Sequence, residues 1–110
     1  MKLPNSFHAY IPEAKLREYL LSPTHPEGGP KSVFFHAMGY TEDNILELET
    51  ALLVIAMNGE VTDHYEFEFG RKYVVEGNLR RVGGTQIPLR TVWVIDSGEQ
   101  APRFITAYPL

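Results

Sequence analysis

An α+β domain, with N-terminal helices packed on a roughly four-stranded antiparallel sheet, is the fold class this sequence predicts. Apolar residues recur at three- and four-residue spacing up to Gly59, then alternate singly with polar ones toward the C-terminus. Turn residues interrupt the second half at short intervals, as consecutive antiparallel strands require, and helical and sheet faces of this kind bury each other. The 110 residues suit a single domain, 1–110, with 1–59 mainly helical and 60–110 mainly antiparallel strands.

Pro12 suits a first helical turn, and Leu16, Tyr19 and Leu20 follow at the spacing of one buried stripe. Ser22-Pro23 stops this helix, because proline disfavours helical backbone at its predecessor and donates no amide. A Pro/Gly-rich loop carrying His25 follows. Pro30 then opens a second, short helix through Val33, Phe34, Ala37 and Met38, with Gly39 at the left-handed C-terminal position. Thr41 reads as the N-cap of a third helix, with Glu42 and Asp43 at the positive end of its dipole and Tyr40 and Ile45 as a hydrophobic staple. Ile45, Leu48, Leu52 and Ile55 continue one face until Asn58-Gly59 ends it.

Beyond Gly59 the period falls to two. Val61, Tyr65, Phe67 and Phe69 alternate against Thr62, His64, Glu66 and Glu68. Arg71 to Arg81 forms a second run, Gly83-Gly84 turns it into Gln86 to Ile95, and Asp96-Ser97-Gly98 turns again before Pro102 starts the terminal strand.

Ten Lys and Arg against fourteen Asp and Glu give a formal charge of −4, which argues against nonspecific nucleic-acid binding by the whole molecule. The charge is unevenly spread. Arg71, Lys72, Arg80, Arg81 and Arg90 are opposed only by Glu76, while acids crowd the segment from Glu42 to Glu68. That pattern fits either a local basic face or an ordinary solvated sheet surface. Cysteine is absent, which excludes a disulfide framework, a thiolate zinc site and a cysteine nucleophile. No apolar run approaches the roughly 20 residues of a membrane span and the first residues lack a signal-like apolar stretch, so a cytoplasmic protein without a membrane partner is expected.

Two polar clusters carry the candidate chemistry. His25, held in a Pro/Gly-rich loop, can exchange protons near neutral pH, and Lys31 can neutralise an anion near a helix start; the ordinary alternative is a capping histidine and a solvated lysine. In the last strand, strict alternation puts Phe104, Thr106 and Tyr108 on one face and Arg103, Ile105 and Ala107 on the other. Arg103 joins Thr106 and Tyr108 only through a bulge, a strand-end twist or a long side-chain path. Their ordinary alternative is a half-buried pair satisfying local hydrogen bonds. The histidines have no ligand spacing, so no metal and no cofactor is expected, and Trp93 in its apolar strand reads as core rather than as a base-stacking residue.

The segments Lys15-Leu16-Arg17-Glu18-Tyr19-Leu20-Leu21, His25-Pro26-Glu27-Gly28 with Lys31 and Phe34-Phe35, Gly70-Arg71-Lys72-Tyr73, Thr91-Val92-Trp93-Val94-Ile95 and Pro102-Arg103-Phe104-Ile105-Thr106-Ala107-Tyr108-Pro109 together resemble a bacterial domain of unknown function. That domain occurs both free-standing and at the ends of polymorphic toxins. The terminal strand is similar to that of metal-independent ribonuclease toxins of the barnase, EndoU, colicin and RelE type. The resemblance implies helices followed by a four-stranded antiparallel sheet, RNA as substrate, and a site drawn from His25, Lys31, Arg103, Thr106 and Tyr108.

Two functional readings follow. In one, RNA is cleaved by its own 2′-hydroxyl, with His25 moving protons, Arg103 and Lys31 stabilising the phosphorane, and Thr106 and Tyr108 orienting the phosphate. In the other, the chain is a non-catalytic antitoxin- or immunity-like module that holds a cognate protein through its acidic surface. The negative charge belongs more naturally to the second.

Overall fold

The change of period at Gly59 is where helix gives way to sheet. The computed structural model describes residues 1–110, the side chain of Pro30 excepted. Helix α1, Glu13–Lys15, runs directly into a π-helical turn, Leu16–Leu20, in which the Leu21 amide donates to the Leu16 carbonyl at 3.0 Å. An unbroken α-helix is what the spacing predicts. The i→i+5 turn replaces it because it carries Leu16, Leu20 and Leu21 into the core together. Helix α2, Gly29–Ala37, starts one residue ahead of the predicted Pro30, and Gly39 after it takes a φ of +92°. Helix α3 spans Ile45–Asn58, preceded by a 3-10 turn, Glu42–Asn44. Thr41 caps this unit as its sequence implies: its hydroxyl accepts the Asp43 amide at 3.2 Å, and the Asn44 side chain accepts the Thr41 amide at 2.7 Å.

Four antiparallel strands follow in the order β1-β2-β3-β4: β1 Glu60–Phe67, β2 Gly70–Arg80, β3 Gln86–Asp96 and β4 Arg103–Pro109. One face carries Tyr73, Val75, Leu79, Leu89, Trp93, Phe104 and Ala107, which pack in one core with Leu16, Leu20, Phe35, Leu48, Leu52 and Ile55. Trp93 is fully buried at its centre, edge-on to Phe104 with ring centroids 5.3 Å apart. Its Nε1–H donates to the Thr91 hydroxyl at 2.8 Å, which donates in turn to the Val75 carbonyl at 2.8 Å. Trp93 is therefore a core residue, and every polar atom brought in with it is partnered.

Two bulges invert expected faces. In β4, Phe104 lies opposite Trp93 but Thr106 opposite Val92, so Ile105 is the extra residue. Arg103, Thr106 and Tyr108 consequently share the sheet face away from the helices, while Phe104 and Ala107 share the core face, against the strict alternation predicted for this strand. In β1 the shift falls between Val61 and Asp63. It sets Tyr65 opposite Lys72, on the outer face, and His64 opposite Tyr73, on the inner one. Tyr10 adds a parallel bridge at Arg103: its amide donates to the Pro102 carbonyl and its carbonyl accepts the Phe104 amide, both at 3.0 Å. Among the described residues no helix is long and apolar enough to cross a membrane.

Candidate functional site

The predicted loop histidine and the terminal strand meet at a residue the sequence pattern had assigned to the core. Tyr19, in the π-helical turn, places its hydroxyl 2.8 Å from the Thr106 hydroxyl at the β4 edge. The His25 imidazole packs edge-on against the Tyr19 ring, centroids 5.0 Å apart at 88°. The Lys15 ammonium stands 4.6 Å from the centre of that ring and the Lys31 ammonium 5.8 Å. The partly buried Thr106 hydroxyl, an imidazole and two ammonium groups thus all contact Tyr19. Cations lie over an aromatic face because the ring quadrupole attracts them.

His25 is fixed by its own loop. Its Nδ1 accepts the backbone amides of Glu27 at 3.0 Å and Gly28 at 2.9 Å, and its carbonyl accepts the Gly29 amide at 2.8 Å. An Nδ1 that accepts two amides carries no proton, so the neutral ring holds its proton on Nε2. Gly28 is dictated by contact: a Cβ there would lie 2.1 Å from the Tyr19 carbonyl oxygen. The loop is seated directly on the helix that presents Tyr19.

Arg103 and Tyr108 lie on the same sheet face as Thr106, yet each is engaged separately. Arg103 forms two hydrogen bonds to the Asp96 carboxylate, both 3.1 Å. This pairing holds the Asp96 carboxyl below the usual carboxylate range and raises the Arg103 guanidinium above its own. Tyr108 faces Arg90, whose guanidinium stands 5.7 Å from the ring centre and pairs with Glu76 at 2.9 Å. The structure therefore groups His25, Lys31 and Thr106 around Tyr19, and sets Arg103 and Tyr108 at the flank. Lys15 and Tyr19 are the members that sequence reasoning missed. Their i, i+4 spacing was the available signal, since it stacks a lysine over a tyrosine on one helix face.

The Asp96–Arg103 pair makes a pH prediction. A carboxyl depressed in the folded state contributes stability above its unfolded pKa of about 3.9, and that contribution disappears as pH falls through the folded value. Urea unfolding should therefore show the wild type losing stability below about pH 4 more steeply than Asp96→Asn. Equal slopes in that window would remove the pair from the account.

A hollow of about 530 Å³ between α3 and the β2–β3 hairpin, lined by residues including Leu46, Val54, Arg80 and Val82, contains none of these groups. The Tyr19 cluster is a surface site, which suits a polymer backbone better than a small enclosed ligand. Among the described residues no group of His, Asp and Glu is assembled to hold a metal ion.

The sequence profile of a family described as a domain of unknown function, DUF6883, matches residues 2–110. The chain belongs to the DUF6883 family. This DUF6883 chain is also similar in fold to a chain of a solved complex described as a contact-dependent growth inhibition toxin and immunity protein complex from Klebsiella pneumoniae 342. The TM-score is 0.73 at 13% identity, covering 94% of this chain and 95% of that one. At that identity the likeness is one of fold. No curated protein matches the DUF6883 chain.

Proposed function

We propose that this chain is a metal-independent ribonuclease-like domain with RNA as substrate and a cognate protein as partner. The observation that carries the reading is the Tyr19–Thr106 hydroxyl pair, 2.8 Å apart, with His25, Lys15 and Lys31 packed about the Tyr19 ring. A phosphodiester placed on this surface meets two ammonium groups that neutralise its charge, with the hydroxyl pair orienting its oxygens. The RNA 2′-hydroxyl attacks phosphorus, its proton passing to water, and the bond to the 5′-oxygen breaks as the hydronium so formed returns a proton to that oxygen. The products are a 2′,3′-cyclic phosphate and a 5′-hydroxyl. His25, with its proton on Nε2, acts as a donor toward the phosphorane or the departing oxygen, where developing charge makes each donor more valuable than in the ground state. Arg103, held by Asp96, and Tyr108 flank the pair on the same sheet face. The likeness to a chain of a toxin–immunity complex supports the protein partner.

The test is incubation of the purified chain with RNA in excess chelator. Cleavage is expected, and Tyr19→Phe or Thr106→Val should each lower it by roughly 10²-fold, the loss typical of one transition-state hydrogen-bonding group. A second reading, a non-catalytic immunity-like module, is favoured by the net charge of −4 and the acidic segment from Glu42 to Glu68. Intact RNA, with a stoichiometric protein bound through that segment, would replace the first reading by the second.

A further inference from the structure

Three aromatic side chains that alternation alone would bury are instead exposed at the β1–β2 hairpin: Tyr65 at 48%, Phe67 at 38% and Phe69 at 65%. The bulge near Thr62 causes this for the strand residues by turning Tyr65 and Phe67 to the outer face. Exposed aromatics cost hydrophobic free energy that inward placement would have gained, so a clustered set marks a contact surface more often than an isolated ring does. Lys72 completes the cluster. Its ammonium stands 5.6 Å from the centre of the Tyr65 ring and 5.9 Å from that of Phe67. The neighbouring acid Glu66 is directed to the other face, where it pairs with Arg71 at 3.5 Å.

Strand register connects this cluster to the Tyr19 site. On the outer face Tyr65 lies beside Lys72, Lys72 beside Val94, and Val94 beside Arg103; one row along, Val74, Val92 and Thr106 are neighbours. Val92 and Val94, on the same face, are buried apolar residues between the two. With strands about 4.8 Å apart and about 3.3 Å per residue along them, Tyr65 and Thr106 are separated by three spacings sideways and one two-residue row, about 16 Å, across one sheet face.

We infer that Tyr65, Phe67 and Lys72 form a stacking platform for the bases of single-stranded RNA whose scissile phosphate lies at the Tyr19–Thr106 pair. The inference rests on the ribonuclease reading for its substrate class. Rings supply faces for unpaired bases and Lys72 a charge for the connecting phosphate, a combination that binds single strands with little sequence preference. Duplex RNA cannot use it, because its bases are stacked on one another. A protein partner is the competing occupant. Continuity with Thr106, which shares this sheet face and bonds the Tyr19 hydroxyl, favours the nucleic acid.

The test measures fluorescence anisotropy of a labelled single-stranded 2′-O-methyl RNA with the purified full chain. Methylation caps the nucleophile, so binding is read independently of cleavage. Tyr65→Ala and Phe67→Ala should each weaken binding by about tenfold, the loss of one stacked base. Tyr65→Leu and Phe67→Leu keep apolar bulk at both positions but remove the π face, and should weaken it comparably while leaving urea unfolding unchanged. Lys72→Gln should reduce the slope of log affinity against log salt by about 0.7, one single-strand phosphate contact. Wild-type affinity in the leucine variants, or their loss of a protein partner with RNA binding intact, would overturn the platform. Platform-dependent binding of this oligonucleotide with no cleavage of ordinary RNA would sink the ribonuclease reading alone; cleavage of long RNA with unchanged KM in the leucine variants would sink the platform alone.

Discussion

His25→Asn should retain the folded loop and lose RNA cleavage by roughly 10²–10³-fold, the usual effect of removing one preorganised donor. The substitution separates two roles that one ring combines. Through Nδ1, His25 accepts the Glu27 and Glu27-adjacent Gly28 amides and so caps the connection into α2. An asparagine side-chain oxygen can accept the same amides, because short amide side chains form this kind of local turn readily. It cannot supply the imidazole that packs edge-on against Tyr19, nor that imidazole's Nε2–H. His25→Ala loses both functions and should in addition destabilise the protein by about 1 kcal/mol, as a lost cap does. Cleavage rates near wild type in His25→Asn, with impaired stability only in His25→Ala, would reduce the histidine to a cap.

Trp93→Ala should lower unfolding free energy by about 3–5 kcal/mol, the range for truncating a large buried aromatic. The side chain is fully buried at the centre of the sheet and fills the space against Phe104. Its removal also withdraws the donor to the Thr91 hydroxyl, which continues to serve the Val75 carbonyl. Marginal domains have stabilities of about 5–15 kcal/mol, so this single change should bring the protein near its unfolding threshold at ordinary temperature. Urea titration followed by circular dichroism measures it. A loss below about 1 kcal/mol would mean that the core collapses around the vacancy far more readily than close-packed interiors do.

Local features of the fold were legible because local chemistry writes them. The fall in period at Gly59, the Thr41 cap, the left-handed Gly39 and the Gly83-Gly84 turn each depend on residues within a few positions of one another, and each stands where it was read. The bulges left no such mark. One extra residue at Ile105 has no compositional signature, yet it moves Arg103 onto the face of Thr106 and Tyr108 and returns Ala107 to the core. The same device in β1 exposes Tyr65 and Phe67, whose alternation alone implied burial.

Tyr19 was hidden for a different reason. Its i+3 spacing from Leu16 fits an α-helical stripe, but the π turn commits Leu16, Leu20 and Leu21 to the core and leaves Tyr19 to reach β4. The approach of His25 to Thr106 joins opposite ends of the chain, and periodicity carries no information about such a pairing; only the resemblance brought those residues together. Arg103 illustrates the converse limit. It was read as a phosphorane-stabilising group, whereas Asp96, reached across the β3–β4 turn, takes up two of its donors.

The most direct measurement of the proposed activity is the chemistry of the RNA ends left after incubation with the purified chain in excess chelator. New 2′,3′-cyclic phosphate and 5′-hydroxyl termini, produced by the wild type and suppressed in Thr106→Val, are the expected result. RNA that stays intact, or is cut only when metal is restored, would contradict a site built from Tyr19, Thr106, His25 and two lysines.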